Sequence, residues 1–227
     1  IRAAGRAGVP LLVRTLTLRA SLLVTTYAVV LTAGAASGGD AVPIAAHQLA
    51  MTLWGFLAFV LDAVAIAAQA ITGRYLGAGD VAATRAVTDR MLRWGVVSGV
   101  ATGLLLAAAS PWLGRLFTPD TQVHDALVPV LLAAAAAQPV AGVVFVLDGV
   151  LMGAGDGPFL AKAQVALLLA YLPALGVLML ADEWLEGLDV AAPLTALWVC
   201  YSLYLTARCV VLDRRRRVDA WMELAVP

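Results

Sequence analysis

The chain has 227 residues, of which 62% are hydrophobic and 13% are charged. Soluble domains are roughly 45–50% apolar and about 25% charged, so the composition excludes an ordinary soluble domain and indicates an integral membrane protein. The net charge is zero, which argues against a nucleic-acid partner.

Six stretches are apolar and long enough to cross about 30 Å of hydrocarbon, which takes about 20 helical residues. We place these spans at residues 9–35, 44–73, 94–116, 126–152, 158–181 and 190–212. Between the second and third spans, the segment 79–93 carries several arginines. We expect it to form a short helix, capped by Asp80, along the cytoplasmic membrane surface. The sequence therefore predicts an all-α integral membrane protein, with residues 1–227 forming a single bundle of six transmembrane helices and no soluble domain.

Basic residues are concentrated at alternate ends of the predicted spans. They are Arg2, Arg6, Arg14, Arg74, Arg85, Arg90, Arg93, Lys162, Arg208 and Arg214 through Arg217. The opposite side carries Arg115 near its edge and the acids Asp40, Asp120, Asp125, Asp182, Glu183, Glu186 and Asp189. Because Lys and Arg are enriched in cytoplasmic loops, we expect both ends of this chain to be cytoplasmic.

No pattern of an enzyme or of a metal site is present in the sequence. Cys200 and Cys209 lie on one predicted helix, about 13 Å apart along its axis, which is too far for a disulfide. His47 and His124 are distant in sequence, and no Cys/His cluster has metal-ligand spacing. We therefore expect no catalytic residue and no bound metal.

Polar residues recur every seven positions in the second span. Gln48, Gly55, Asp62 and Gln69 form one slowly drifting stripe, because seven residues are nearly two helical turns. Thr52 lies close to it. A carboxylate at the centre of a membrane helix costs about 2.5–3.5 kcal/mol. Two interpretations stay open: the stripe lines a wet cavity in which Asp62 accepts a proton or cation, or it bonds to a neighbouring helix as a structural contact.

Asp148 lies in a context similar to that of Asp62, since both follow Phe-Val-Leu and both runs end on Gly-Ala-Gly-Asp, at 77–80 and 153–156. We take Asp62 and Asp148 as candidate proton- or cation-coupling residues. Asp148 is nearer the cytoplasmic surface, so contact with water there, or with Arg74 or Lys162, is an equal alternative. The Gly-Ala-Gly-Asp strings themselves predict tight turns, with a glycine at positive φ.

Further polar and aromatic residues inside the spans are candidates for lining a cavity. They are Arg19, Thr26, Gln48, Gln69, Gln138, Tyr171 and Tyr201. Arg19 shares a face with Thr15 and Thr26, and we expect it to pair with Asp62 or Asp148 unless it reaches the interface. Gln138 precedes Pro139, which frees a backbone carbonyl that could bind an ion or serve only as a kink. Tyrosine rings can stack on a flat cation, although such residues more often pack the bundle or anchor it at the interface.

Several longer strings resemble the multidrug and toxic compound extrusion (MATE) family, in particular its DinF-like branch. They are Ala45-Ala46-His47-Gln48, Trp54-Gly55-Phe56, residues 61–69, residues 73–80 and residues 147–156. The resemblance implies a secondary antiporter of two six-helix lobes that exports drugs or organic cations in exchange for H+ or Na+ by alternating access. This chain would be the second lobe, in a bacterial cytoplasmic membrane. Its partners would be membrane lipid and the missing N-terminal six-helix lobe. The implied protein is not an enzyme and needs no cofactor beyond the coupling ion.

The resemblance also bears on single residues. Asp148 matches an acid that helps form the cation site in sodium-coupled members, and Asp62 matches a characteristic acid of the eighth helix. Those members also use a glutamate on the seventh helix, but no acid occurs between Ile1 and Gly39. Since Ile1 is not a start methionine and an apolar span follows almost at once, we expect a fragment that lacks its N-terminal part. One lobe has no second lobe to move against, so we expect that this chain cannot transport alone.

Three other functions remain as alternatives. A flippase-like transporter of a lipid-linked precursor would need a more cationic cavity. An intramembrane enzyme, such as a lipid phosphotransferase, would need clustered acids and a metal. A non-transporting membrane interaction subunit would need Asp62 and Asp148 only for packing.

Overall fold

The computed structural model describes residues 2–35, 41–181, 184–185, 187 and 191–222. Over these residues the chain forms α1 (Arg2–Ala35), α2 (Ala41–Gly77), α3 (Val81–Phe117), α4 (Thr121–Gly153), α5 (Gly157–Leu180) and α6 (Ala192–Arg217), followed by a short 3-10 helix, Asp219–Trp221. All six α-helices are long and apolar enough to cross a membrane, which confirms the predicted number of spans.

Part of the charge pattern falls outside the described residues. This applies to Asp40, Asp182, Glu183, Glu186 and Asp189, and to the side chains of Arg2 and Arg6. At the end of the bundle where basic residues were predicted, Arg85 pairs with Asp219 at 2.6 Å and Arg215 pairs with Asp156 at 2.7 Å. These contacts bring the start of α3, the start of α5 and the end of α6 to the same end of the bundle.

The segment 79–93 differs from the separate surface helix that the sequence suggested. From Val81 it forms the first part of α3, which continues without a break to Phe117, because neither Gly nor Pro interrupts residues 81–94. The carboxylate of Asp80 accepts a hydrogen bond from the Ala83 amide at 2.8 Å, so the predicted cap is present but begins a much longer helix. At 37 residues, α3 is about 55 Å long and exceeds the thickness of the hydrocarbon layer.

The two Gly-Ala-Gly-Asp strings form the same turn at the ends of α2 and α4. Gly79 and Gly155 have φ of 73° and 81°, a left-handed conformation that favours glycine. The amides of Asp80 and Asp156 each donate back to a carbonyl in the last helical turn, at 3.0 and 2.9 Å. This is the hydrogen-bond pattern expected where a helix ends on a left-handed glycine, and it confirms the predicted turns.

Helix α4 is the centre of the bundle and packs against α2, α3 and α6. Small residues let its neighbours approach closely. A Cβ atom added to Gly142 would overlap the carbonyl oxygen of Gly95 on α3, and one added to Gly149 would overlap the carbonyl oxygen of Ala65 on α2. Helix α1 packs mainly against α5, at the side of the bundle.

Candidate functional site

Asp148 is the centre of a buried ion-pair cluster that joins three helices. Its Oδ2 atom accepts a hydrogen bond from Nη2 of Arg14 on α1 at 2.7 Å, and Nη2 of Arg208 on α6 donates to the same oxygen. The side chains of Asp148 and Arg208 are each 6% exposed and that of Arg14 is 14% exposed. The Asp148 charge is therefore opposed by two cations inside the bundle.

Two polar atoms of the cluster make no hydrogen bond to any described residue. Among the described residues, Oδ1 of Asp148 and Nε of Arg14 are buried without a hydrogen-bond partner. Three charged groups also leave an excess of one positive charge. A Na+ ion at Asp148 would be a third cation beside Arg14 and Arg208, so the geometry does not favour Na+ binding at the carboxylate.

The expected partners of Asp148 are not the ones found. Arg19 and Lys162 are exposed, and no ion pair joins Arg19, Arg74 or Lys162 to Asp148 in the described part of the chain. On α1, residue 19 lies about 140° around the helix from Arg14, since each residue turns the helix by about 100°. The buried side of α1 instead carries Thr17, Ser21 and Thr25, which follow Arg14 at helical spacing.

The sequence did not single out Arg14 or Arg208 as functional residues, although a signal for Arg208 was present. Arg208 follows Leu197, Tyr201 and Tyr204 at intervals of three or four residues, and all of these are buried. A base that continues an apolar helical face is expected to be buried and paired. Both arginines lie near the ends of predicted spans, so they were interpreted as membrane-border residues and not as partners of a buried acid.

Asp62 lies apart from this cluster, on an exposed face of α2. Gln48, Thr52, Asp62 and Gln69 are all exposed, so the predicted stripe is on the surface of this six-helix unit. Within the described ranges, the Asp62 carboxylate makes no hydrogen bond and no ion pair. One of the two interpretations of the stripe was a bond to a neighbouring helix, and Asp62 makes no such bond to any described residue.

His47 is a buried polar residue that the sequence did not single out. It is 1% exposed, and its Nδ1 accepts a hydrogen bond from Nε1 of Trp198 on α6 at 3.2 Å. Because an indole nitrogen can only donate, Nδ1 must be unprotonated and the neutral ring carries its proton on Nε2. Nε2 then donates to Oγ1 of Thr26 at 3.0 Å, and this hydroxyl donates to the Leu22 carbonyl at 3.1 Å. Thr26 thus links α1 to α2, which was not its predicted role.

Tyr171 and Tyr201 are buried in an aromatic cluster with Trp54, Trp198 and Tyr204. The ring centroids of Tyr171 and Tyr204 are 4.9 Å apart, and the Tyr201 and Trp54 rings meet edge to face at 5.6 Å. The Tyr171 hydroxyl also bonds to Oγ1 of Thr25 at 2.7 Å. Other rings cover both tyrosines, so in this conformation they pack the bundle and do not present a face to a flat cation.

Gln138 is buried at the contact between α3 and α4. Its side-chain oxygen lies 3.5 Å from the Thr102 hydroxyl. Pro139 deprives the Ala135 carbonyl of its usual helical donor, and a Cβ on Gly103 would lie 2.6 Å from that carbonyl oxygen. The freed carbonyl is therefore covered by α3, and the kink interpretation fits better than an ion site.

Comparison with known proteins matches this arrangement to one family. The family described as MatE matches residues 17–174. Protein DETOXIFICATION 45, chloroplastic, of Arabidopsis thaliana is 29% identical over 167 residues, which cover 74% of this chain and 28% of the relative. Protein DETOXIFICATION 42 of the same plant is 28% identical over 190 residues, or 84% of this chain and 35% of the relative. The chain thus spans about a third of the length of these curated relatives.

Two solved structures share the fold. A MOP superfamily transporter from Pyrococcus furiosus superposes with a TM-score of 0.71 at 17% identity, over 94% of this chain and 44% of that one. The outward-facing conformation of a multidrug resistance MATE family transporter of the MOP superfamily also superposes with a TM-score of 0.71. Its sequence is 16% identical, and the match covers 95% of this chain and 44% of that one. The six helices therefore reproduce somewhat less than half of a larger transporter fold.

Proposed function

This chain belongs to the MatE family of membrane transporters, and from that premise we propose that it is one six-helix half of a secondary transporter. The complete protein would carry a drug or organic cation across the membrane by alternating access, in exchange for H+ or Na+. The chain covers 44% of each matched transporter structure, so the proposal includes a second six-helix half.

Asp62 is the residue that most favours this function. It is an exposed carboxylate without a partner in the described ranges, on a helix of membrane length. Contact with lipid would cost several kcal/mol, so this surface must face water or another part of the protein. Gln48 and Gln69 extend the same surface along α2. A water-filled cavity between the two halves would supply hydrogen-bond partners to Asp62, Gln48 and Gln69.

The charge of this surface supports a cationic solute. Asp62 is the only charged residue among Gln48, Thr52, Gly55, Asp62 and Gln69, so the stripe attracts cations. Asp148 is already opposed by Arg14 and Arg208, and we assign it the role of holding α1, α4 and α6 together. In this half, the coupling H+ or Na+ is therefore assigned to Asp62 rather than to Asp148.

We place both ends of the chain on the cytoplasmic side of a bacterial inner membrane. Arg74, Arg85 and Arg214 through Arg217 cluster at one end of the bundle, and basic residues favour the cytoplasmic face. The Arg85–Asp219 pair at 2.6 Å supports this placement, because it joins the start of α3 to the segment after α6. In a twelve-helix protein this half would be the second lobe.

The flippase alternative fits less well. A lipid-linked precursor carries phosphates, which need cations in the cavity. The α2 stripe offers a carboxylate instead, and Arg14 and Arg208 are occupied by Asp148. No observation specifically favours an interaction subunit.

The test is solute transport by the complete protein, containing both halves, in proteoliposomes with an imposed proton or sodium gradient. Ethidium serves as the cationic solute. We expect Asp62→Asn to lose most of the gradient-driven uptake while folding normally. Asp125→Asn is the matched control, because Asp125 is another exposed carboxylate with no partner among the described residues, near the start of α4. It should transport like the natural protein. Undiminished uptake by Asp62→Asn would refute the proposal, and so would robust exchange by the 227-residue chain alone.

A further inference from the structure

A groove of about 370 Å³ lies on the outer face of α3, lined by Arg90, Arg93, Trp94 and Val97. Arg93 and Trp94 lie three and four residues after Arg90, and Val97 lies four and three residues after them, so the four side chains fall within about 100° of one face of the helix. All four are exposed, Trp94 to 63%. The groove thus combines two bases, an indole and an aliphatic side chain on a surface that no described part of the chain covers.

The groove is located where the charged part of α3 meets its apolar part. Arg90 and Arg93 end a charged stretch, and residues 94–114 contain no charged side chain. At 1.5 Å per residue this apolar stretch is about 31 Å long, which equals the thickness of the hydrocarbon layer. Trp112, exposed like Trp94, lies at its other end. Arg93 and Trp94 are therefore at the border between headgroups and acyl chains, where tryptophan is enriched.

Neither guanidinium of the groove pairs with a carboxylate in the part of the chain that the structure describes. The neighbouring Asp89 side chain pairs with Arg216 at 3.2 Å. Arg93 donates only to the backbone carbonyl of Asp89, at 3.4 Å, and Arg90 has no ion pair or hydrogen bond within the described ranges. Two guanidinium groups without a described carboxylate partner give this part of the membrane border a positive potential, which attracts anions.

We propose that this groove binds an anionic glycerophospholipid from the leaflet at the basic end of the bundle. The planar guanidinium groups of Arg90 and Arg93 match the geometry of a phosphate diester. Below them, the exposed side chains of Val97, Val100 and Leu104 continue along the same face and accommodate an acyl chain. Two bases near the surface correspond to a preference on the order of tenfold for an anionic over a zwitterionic lipid. This site is independent of the transport proposed above.

Quenching of Trp94 by brominated lipids tests the proposal. The complete protein is reconstituted in phosphatidylcholine with a small fraction of acyl-brominated phosphatidylglycerol or, separately, acyl-brominated phosphatidylcholine. The Trp94 signal is obtained as the difference between the natural protein and Trp94→Phe. We expect brominated phosphatidylglycerol to quench Trp94 at about a tenth of the lipid fraction that brominated phosphatidylcholine requires.

The double variant Arg90→Gln, Arg93→Gln should abolish this preference. Arg115→Gln is the matched control, since it removes an exposed base near Trp112 at the other end of the same helix, and it should keep the preference. Equal quenching of Trp94 by the two lipids, or a preference that survives in the double variant, would overturn the proposal. Absence of quenching by either lipid would also overturn it, because α3 would then be covered by protein.

Discussion

Arg14 on α1 and Asp148 on α4 form a 2.7 Å ion pair between residues 134 positions apart in the sequence. Arg208 donates to the same carboxylate oxygen from α6. Desolvation offsets much of the attraction in a buried pair, but removing one partner leaves an uncompensated charge. The cluster therefore fixes which faces of α1, α4 and α6 meet.

Asp148→Asn should destabilise the protein more than Arg14→Gln does. The asparagine leaves two guanidinium groups buried without a counter-charge, at a cost of about 3–5 kcal/mol, whereas Arg14→Gln leaves Asp148 paired with Arg208. Thermal unfolding of the purified protein measures the difference. Asp62→Asn is the control and should melt like the natural protein, because Asp62 is exposed and has no partner in the described ranges. Equal melting of Asp148→Asn and Asp62→Asn would contradict the role assigned to the cluster.

Gly142→Ala should destabilise the contact between α3 and α4 by about 1–3 kcal/mol. The added methyl group would overlap the Gly95 carbonyl oxygen, and neither backbone can move without separating the helices. Gly176→Ala makes the same change on α5 with no heavy atom within 4 Å, so it should be neutral or slightly stabilising. Thermal unfolding of both variants checks this, and the prediction fails if the two alanines behave alike.

His47→Phe should cost about 1–3 kcal/mol, because the buried Trp198 indole loses its acceptor. Trp198→Phe removes the donor and keeps an aromatic ring in the cluster. In the His47→Phe background, that second change should cost less than it does alone, because only the lost packing of the indole remains. A double-mutant cycle on unfolding free energies measures the coupling, which we expect to be about 1 kcal/mol or more. Additive effects of the two changes would show that the hydrogen bond contributes nothing.

The sequence predicted the helices and turns because their signals are local. Apolar length defines a membrane span, and a glycine that needs positive φ marks the end of a helix, as at Gly79 and Gly155. Helical periodicity is also a local signal, so the seven-residue spacing correctly predicted that Gln48, Asp62 and Gln69 share one face of α2. The prediction of a separate helix at 79–93 was wrong. The charged residues there were taken as the end of a helix, although no Gly or Pro between 81 and 94 interrupts α3.

The ion pairs could not be predicted because they depend on which helix faces meet. On α1, the face with Arg19 and the face with Arg14 each carry threonines, so periodicity alone does not decide between them. The choice follows from the packing of α1 against α5 and α6, which brings Arg14 to Asp148. Arg208 was counted among bases at the membrane border, where sequence patterns do not separate a free base from a paired one.

The most direct test of the central claim is the water accessibility of the α2 surface in the complete protein. Single cysteines replace Asp62, Gln69 and Val60 in a background without Cys200 and Cys209, and a membrane-impermeant thiol reagent is added to membranes of known orientation. Val60 is 42% exposed but lies about 160° around the helix from Asp62. We predict labelling of Asp62→Cys and Gln69→Cys and none of Val60→Cys. Protection of Asp62→Cys from the reagent on both sides of the membrane would contradict a water-filled transport cavity at this face.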